Sequence, residues 1–261
     1  MHYEDIPIDN AISYAFCDTG KFKPGKVHWH AHRWPHLLYA VSGAMRVETE
    51  QSLWLLPPQR AAWIAADTPH RTTYILETQY VSVFMSPDRL DPPLPTRVFT
   101  VSPLAREMIR YALRWGVDRE PNDALANHYF ETLVMLTRQW IVDEIELRLP
   151  RPTSEPMQQV VAYILAKLDS AELETAAGLI AVSPRTLRRQ MQREMQITWR
   201  QFLRDARMMR AMELLATGQN SVTEVSLIVG YNSLSAFNSA FRHFTGQNPS
   251  DYLASCVVMD D

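Results

Sequence analysis

The chain has 261 residues, 46% of them hydrophobic and 21% charged, with a formal net charge of −3. That length suits two domains, and those proportions exclude wholesale disorder. No run of about eighteen apolar residues occurs, so no helical membrane span is expected. The N-terminal residues Met1-His2-Tyr3-Glu4-Asp5 lack the basic and apolar regions of a secretory leader. Cys17 and Cys256 form no CxxC pair, which points to a reducing, cytoplasmic setting rather than a disulfide framework.

Residues 26 to 84 read as short strands. Val27-His28-Trp29-His30, Met45-Arg46-Val47-Glu48-Thr49 and Tyr80-Val81-Ser82-Val83-Phe84 mark them, punctuated by Ser42-Gly43, Pro57-Pro58 and Asp67-Thr68-Pro69. This spacing predicts a sandwich or barrel. Asp91-Pro92-Pro93-Leu94-Pro95 ends the block, because such dense proline suits neither a ladder nor a helix. From Pro103 to about Leu147 the period becomes helical. Leu104, Met108, Tyr111, Ala112 and Trp115 form one stripe, and Leu125, Tyr129, Leu133, Leu136 and Trp140 a second, broken around 116–122. The proline-rich segment 149–156 predicts a semi-rigid linker. Beyond it the chain reads as helical, with Met157, Val160, Val161, Ile164, Leu165 and Leu168 on one face. The expected domains are therefore 1–95, a barrel; 96–148, a helical extension; 149–156, the linker; and 157–261, an all-α unit. The fold class is α+β.

Charge is unevenly distributed. Between Ser183 and Arg210 lie Arg185, Arg188, Arg189, Arg193, Arg200, Arg204, Arg207 and Arg210, opposed only by Glu194 and Asp205. A basic segment in a mildly acidic chain suits a polyanionic partner, although solvated helix faces also collect arginine. Six histidines, His2, His28, His30, His32, His36 and His70, lie instead before residue 71.

Two helical units in the C-terminal half look alike, Leu173 to Met191 and Val222 to Arg242. Ser183-Pro184 combines a serine N-cap with proline at the first helical position. The helix that follows turns Leu187 and Met191 inward and Arg185, Arg188 and Arg189 outward, as a major-groove reader requires. The second unit opens with the capping box Ser221-Val222-Thr223-Glu224 and turns at Gly230. Its second helix is expected to bury Phe237, Phe241 and Phe244 and to expose Ser235, Asn238 and Arg242. Thr198 caps a long helix to about Leu215, a rod that would set two recognition helices on one face of a duplex, about 34–36 Å apart.

The stretch SVTEVSLIVGYNSLSAFNSAFRHFTGQNPSDYL, residues 221 to 253, resembles the C-terminal signature of the AraC/XylS transcription regulators. Val225, Gly230, Tyr231, Ser233, Ser235, Phe237, Phe241, Arg242, Phe244, Gly246, Pro249 and Tyr252 carry the likeness. The first unit, VSPRTLRRQMQREMQITWRQFLRDARMMRAMELLATG, is also similar, so the resemblance spans roughly the last hundred residues. Ala181 stands where the family commonly has glycine, Ser239 where arginine is frequent, and Asn248 where serine or threonine is usual. The resemblance implies that Arg185, Thr186, Arg188 and Arg189 contact double-stranded DNA from the first unit, and Asn232, Ser235, Asn238 and Arg242 from the second.

Residues 20 to 86 resemble a cupin. His30-x-His32, then His36 and Gly43, follow the spacing of the first cupin motif, with His36 in place of the usual glutamate. His70 keeps the second motif's histidine, while Ala65 and Asp67 replace its proline and glycine, and Tyr74 its asparagine. Four imidazoles, His30, His32, His36 and His70, could hold one divalent ion such as Zn, Ni, Co or Fe. They could equally line an organic-effector pocket or form a polar core, and a register using His28 and His30 is open. Trp29, Trp34, Tyr39, Trp54 and Trp63 suit either a pocket or the core.

Together these features predict a DNA-binding transcription regulator, activator or repressor, whose cupin-like domain senses a small molecule or metal ion. A homodimer through the 103–147 helices and a contact with RNA polymerase are expected partners, and no membrane. The competing readings are a metal-dependent cupin enzyme and an N-terminal domain that only dimerises. No nucleophile, acid-base pair or phosphate loop accompanies the histidines, so no enzymatic activity is expected.

Overall fold

A computed structural model describes residue 8 and residues 11–57, 60–142 and 148–257, with side chains up to residue 254. His2, Pro58, residues 143–147 at the end of the expected helical stretch and the Cys256 side chain lie outside the described residues. The strands are β1 (Ala15–Phe22), β2 (Gly25–Lys26), β3 (His36–Ser42), β4 (Met45–Thr49), β5 (Ser52–Leu56), β6 (Arg60–Ile64), β7 (His70–Tyr74), β8 (Thr78–Met85), β9 (Arg97–Thr100) and β10 (Leu149–Pro150). The helices are α1 (Pro103–Tyr111), α2 (Ala124–Val142), α3 (Glu155–Ala166), α4 (Leu173–Leu179), α5 (Pro184–Met195), α6 (Trp199–Ala216), α7 (Val222–Ile228), α8 (Leu234–Thr245) and α9 (Pro249–Val257). Two compact units result, residues 1–49 with 56–146, and residues 50–55 with 147–261.

In the first unit, one antiparallel sheet runs β1-β8-β3-β6-β9, and β4, β7 and β2 lie side by side in a second. The two faces of the first sheet do different work, because strand side chains alternate. On one face Leu37, Tyr39, Trp63, Val81, Val83 and Phe99 pack with Ile109 of α1 and Ala126, Phe130 and Leu133 of α2. The opposite face carries His36, which pairs with Phe84 and Ile64, and Leu38, which pairs with Ser82 and Ala62. This inner face meets the second sheet, as the stacking of Phe22 on Tyr74 shows, with ring centroids 4.6 Å apart. Gly43 has φ +77°, and a Cβ there would strike the Glu77 carbonyl, so only glycine fits the turn between β3 and β4.

The structure corrects several expectations. The first sheet extends past residue 95, because β9 pairs with β6. The buried stripe of α1 is Ala105 and Ile109, with Leu104 61% exposed; that of α2 is Ala126, Phe130, Leu133, Thr137 and Ile141, with Leu125 58% exposed. Ala112, Trp115 and Leu133 are buried as predicted and Met108, Tyr129 and Trp140 pack at the edge of the core, but the centre of each face is shifted by about one residue, towards Ala105 and Ile109 and towards Ala126 and Phe130. Large apolar residues flank each stripe on both sides, and periodicity alone does not say which edge is central. Val27 to Trp29 form no regular strand; β2 stops at Lys26, and a single bridge joins His30 to His70. The linker is shorter than 149–156. Leu149 and Pro150 pair with Leu53 and Ser52 as an edge strand, where proline is tolerated, and α3 begins at Glu155.

The second unit is built around α6, whose Phe202, Met208, Ala211 and Leu215 are fully buried. The helices α5, α6, α7 and α8 each start at a hydroxyl that accepts the amide proton three residues on. The pairs are Ser183 with Thr186, Thr198 with Gln201, Ser221 with Glu224 and Ser233 with Ala236. The Ser221–Glu224 capping box is complete. Phe237 and Phe241 are buried as expected, whereas Phe244 is only half-buried at the helix end.

The two helix-turn-helix units end their first helices differently. Gly230 has φ +84°, and a Cβ there would lie 2.6 Å from Asp169 Cα. Ala181 takes the same left-handed region at φ +53° without glycine's freedom. Replacing Ala181 with Gly should therefore stabilise the protein by about 1 kcal/mol, read as a higher urea midpoint at unchanged slope. Gly230→Ala should destabilise the protein by about 1–3 kcal/mol, read as a lower urea midpoint.

Candidate functional site

The sequence-predicted DNA residues of the first unit lie on α5. Arg185, Arg188 and Arg189 are exposed, opposite the buried Leu187 and Met191. Thr186 is half-buried and its hydroxyl sits 3.0 Å from Ser183 Oγ, so it belongs to the helix cap as well as to the exposed turn. On α8, Ser235, Asn238 and Arg242 are exposed, and Asn232 is exposed in the turn before Ser233. The structure thus places seven of the eight on two capped helices, Thr186 half-buried and the other six exposed, and Asn232 exposed in the turn that leads into the second.

Three of the eight clustered arginines do other work. Arg207 Nε donates to the Leu168 carbonyl at 2.7 Å, and its guanidinium lies over the Tyr231 ring, 5.7 Å from the centroid. This ties the α3–α4 connection to the turn of the second helix-turn-helix unit, and burial lowers the Arg207 pKa. Arg210 pairs with the buried Glu213 at 2.8 Å, and Arg204 with Asp205 at 3.0 Å. Arg200, in contrast, is exposed at the start of α6. With Arg188, Gln192, Thr198, Trp199, Leu173 and Glu174 it lines a groove of about 590 Å³ beside α5. Gln192 and Trp199, which line this groove, were not among the residues singled out from the sequence as a site.

Glu194, in the last turn of α5, holds the segment before α3. Its carboxylate accepts from Ser154 N and Ser154 Oγ, both at 2.7 Å, and from Thr153 Oγ1 at 3.3 Å. Partial burial opposes its ionisation, but these hydrogen bonds outweigh it and hold its pKa below the usual carboxylate value.

The histidines form one cluster in the first unit. The ligand nitrogens of His30, His32 and His70 lie within 4.8 Å of one another. His36 packs beside them, 4.9 Å from His32 and 5.5 Å from His70 between ring centroids, with Phe84 at 4.9 Å. His28 is exposed, and its carbonyl accepts from His30 Nδ1 at 2.9 Å, so the register using His28 and His30 is not the one that converges with His70. His70 Nδ1 donates likewise to the Thr68 carbonyl at 2.8 Å. Burial, then the neighbouring imidazoles, lower the His36 pKa; burial and His30 bring that of His70 down to about 3. Burial and the neighbouring rings thus favour the neutral form of His36 and of His70.

The aromatic residues expected near a pocket divide by face. Tyr39 and Trp63 pack against α1 and α2, and Trp29 is exposed with Arg71 above its ring. The aromatic neighbours of the inner face are Phe16, Phe84, Tyr80, Tyr74 and Phe22, and of the expected set Trp34 joins them by packing on Phe16 with ring centroids 5.7 Å apart. Tyr80 donates to Asp18 Oδ2 at 2.5 Å, and burial raises the Asp18 pKa against that hydrogen bond. The alternation Tyr80-Ser82-Phe84 against Val81-Val83 was the available signal for this face.

Two capped helix-turn-helix units on one buried rod, each exposing polar side chains from its second helix, define a DNA-binding transcription regulator. A helix-turn-helix domain family is matched over residues 176–255. The HTH-type transcriptional regulator NimR of Escherichia coli strain K12 is 30% identical over 235 residues, covering 88% of this chain and 83% of that protein. The ornithine utilization regulator of Pseudomonas aeruginosa is 40% identical over 84 residues, 32% of this chain and 24% of that one. A solved structure of a probable AraC family transcriptional regulator from Rhodopseudomonas palustris shares 27% identity, covers 40% of this chain and 98% of that one, and has a TM-score of 0.37. The chain belongs to the AraC/XylS family of transcription regulators and binds double-stranded DNA. Among the described residues, no helix is long and apolar enough to cross a membrane.

Removing the Glu194 carboxylate tests the contact between α5 and the segment before α3. Glu194→Ala should cost about 1 kcal/mol of stability, measured by urea denaturation. Glu194→Gln, which keeps an acceptor oxygen, should cost less.

Proposed function

We propose that this protein is a metal-responsive transcription regulator in which His30, His32 and His70, with His36 beside them, hold one divalent ion. The observation that carries this is the orientation of two rings. His30 and His70 each give Nδ1–H to a backbone carbonyl, which leaves Nε2 as the lone-pair nitrogen of each ring. Metal-ligating histidines are usually held in this way. An all-imidazole donor set suits Zn, Ni, Co or Fe in the divalent state and is poorly matched to Ca or Mg, which favour oxygen. The bound ion would act here as an allosteric ligand, and no catalytic step is assigned to it. It shifts DNA affinity or polymerase contact only by the difference in its affinity for two arrangements of the protein.

A second reading, an organic effector, is favoured by the inner face itself. From His36 it continues through Ser82 to Asp18 and Tyr80, a polar line with aromatic neighbours. Homodimerisation through α1 and α2 is supported by exposed apolar residues on both helices, Leu104 and Leu113 near one and Met135, 71% exposed, on the other. RNA polymerase as a partner, a cytoplasmic location and a role without catalysis are part of this proposal, supported by the likeness to transcription regulators.

Elemental mass spectrometry of untagged protein, purified without added metal or chelator, should find about one divalent ion per chain. The His30→Ala/His32→Ala double variant should lose it and lose the metal dependence of promoter output. No bound ion after incubation with Zn, Ni, Co and Fe would contradict metal sensing and leave the organic effector. Operator affinity should fall steeply and log-linearly with salt as counterions are released; a flat response would contradict the proposed arginine contacts with phosphate.

A further inference from the structure

The two recognition helices present different chemistry to DNA. Helix-turn-helix proteins meet base edges with the first turns of the recognition helix. In α5 those turns expose Arg185, Arg188 and Arg189. In α8 they expose Leu234, Ser235, Ala236, Asn238 and Ser239, and the basic residues of that helix, Arg242 and His243, fall in its last turn. The difference is one of sequence within matching scaffolds. Both helices have twelve residues, both start at a capping serine, and both end at a left-handed residue, Gln196 and Gly246.

Each surface suits a different base pair. Arginine pairs bidentately with guanine O6 and N7, the commonest specific contact in the major groove. Asparagine pairs bidentately with adenine N6 and N7, and apolar side chains meet the thymine methyl. Leu234 is 42% exposed at the first position of α8, with Ala236 exposed two residues on. A methyl group of thymine would cover that apolar surface, and serine accepts either pair. Taking the two boxes to lie in successive major grooves, about 10–10.5 base pairs apart centre to centre, we infer that the box under α5 contains G·C pairs and the box under α8 is A·T-rich. This rests on the reading that α5 and α8 both enter major grooves. The electrostatic work divides the same way: phosphate neutralisation comes mainly from α5 and the adjoining start of α6, where Arg193 and Arg200 are also exposed.

The test is selection of binding sites from random double-stranded DNA by the full-length protein, followed by binding measurements on the selected duplex. Two boxes of the stated composition and spacing are expected. Arg188→Ala should relax a guanine preference in the first box by about 5- to 150-fold and reduce the salt slope by about one. Asn238→Ala should relax an adenine preference in the second box over a similar range and leave the salt slope unchanged. Asn238→Arg should turn that adenine preference towards guanine. Both residues are exposed, and a thermal melt of each variant checks that the fold is kept. A second box rich in G·C, or an adenine preference that survives Asn238→Ala, overturns the inference while leaving DNA recognition intact. A first box without guanine preference does the same and assigns the α5 arginines to phosphates alone. No enriched sequence at all overturns the reading of α5 and α8 as base readers, and the inference with it.

Discussion

Helix phase is the constraint on which the DNA-reading half depends. A shift of one residue turns a helix by about 100°, enough to bury a base-reading side chain and expose a core one. In this unit the phase is pinned at both ends. Hydroxyls at Ser183, Thr198, Ser221 and Ser233 fix where α5, α6, α7 and α8 begin, each satisfying an amide that the helix leaves unpaired. Left-handed residues at Ala181, Gln196, Gly230 and Gly246 mark the turns or ends of α4, α5, α7 and α8. With the ends held, Leu187 and Met191 can only go into the core, and Arg185 and Arg188 can only face solvent.

The same reasoning explains what could be read from the amino-acid sequence and what could not. The caps of α5, α6, α7 and α8 are written as serine or threonine before the helical pattern, so their inward and outward faces were legible residue by residue. In α1 and α2 large apolar residues stand on both sides of the stripe, and the pattern there is satisfied by two phases. Tertiary packing against Phe99, Val83 and Tyr39 centred the faces on Ile109, Ala126 and Phe130. Small alanines at 105 and 126 let the helices approach the sheet closely, a preference that a hydrophobicity pattern under-weights. Charge count misled in a similar way. The eight arginines between 183 and 210 form one cluster on paper, yet Arg204, Arg207 and Arg210 make ion pairs or carbonyl contacts within the unit.

The histidine cluster shows how spacing and geometry differ as signals. Strand alternation placed His28, His30 and His32 together, but the chain does not continue as a strand beyond Lys26. What sets His30 against His70 is a single two-way backbone bridge, with hydrogen bonds of 3.0 and 2.9 Å. His36 reaches the same place from the opposite sheet, because β3 alternates and its even-numbered positions face inward. The motif spacing pointed to four residues that lie together in the fold; the hydrogen bonds of His30 and His70 Nδ1 to backbone carbonyls could not be read from it. Two sheets and one bridge therefore converge on a set that no single strand supplies.

The segment between β10 and α3 carries an implication for regulation. A proline-rich tether would let a domain swing without breaking bonds, but residues 148–154 are bonded along their length. Arg148 donates to Ser52 Oγ at 2.7 Å, Arg151 N to the Gln51 carbonyl at 2.8 Å, and Ser154 twice to Glu194. Hydrogen bonds of this kind contribute about 0.5–1.5 kcal/mol each, and somewhat more to a charged acceptor. Together they match the few kcal/mol by which a ligand shifts a two-state equilibrium. A rearrangement in this segment would therefore exchange named bonds, including those to α5, rather than bend a free linker.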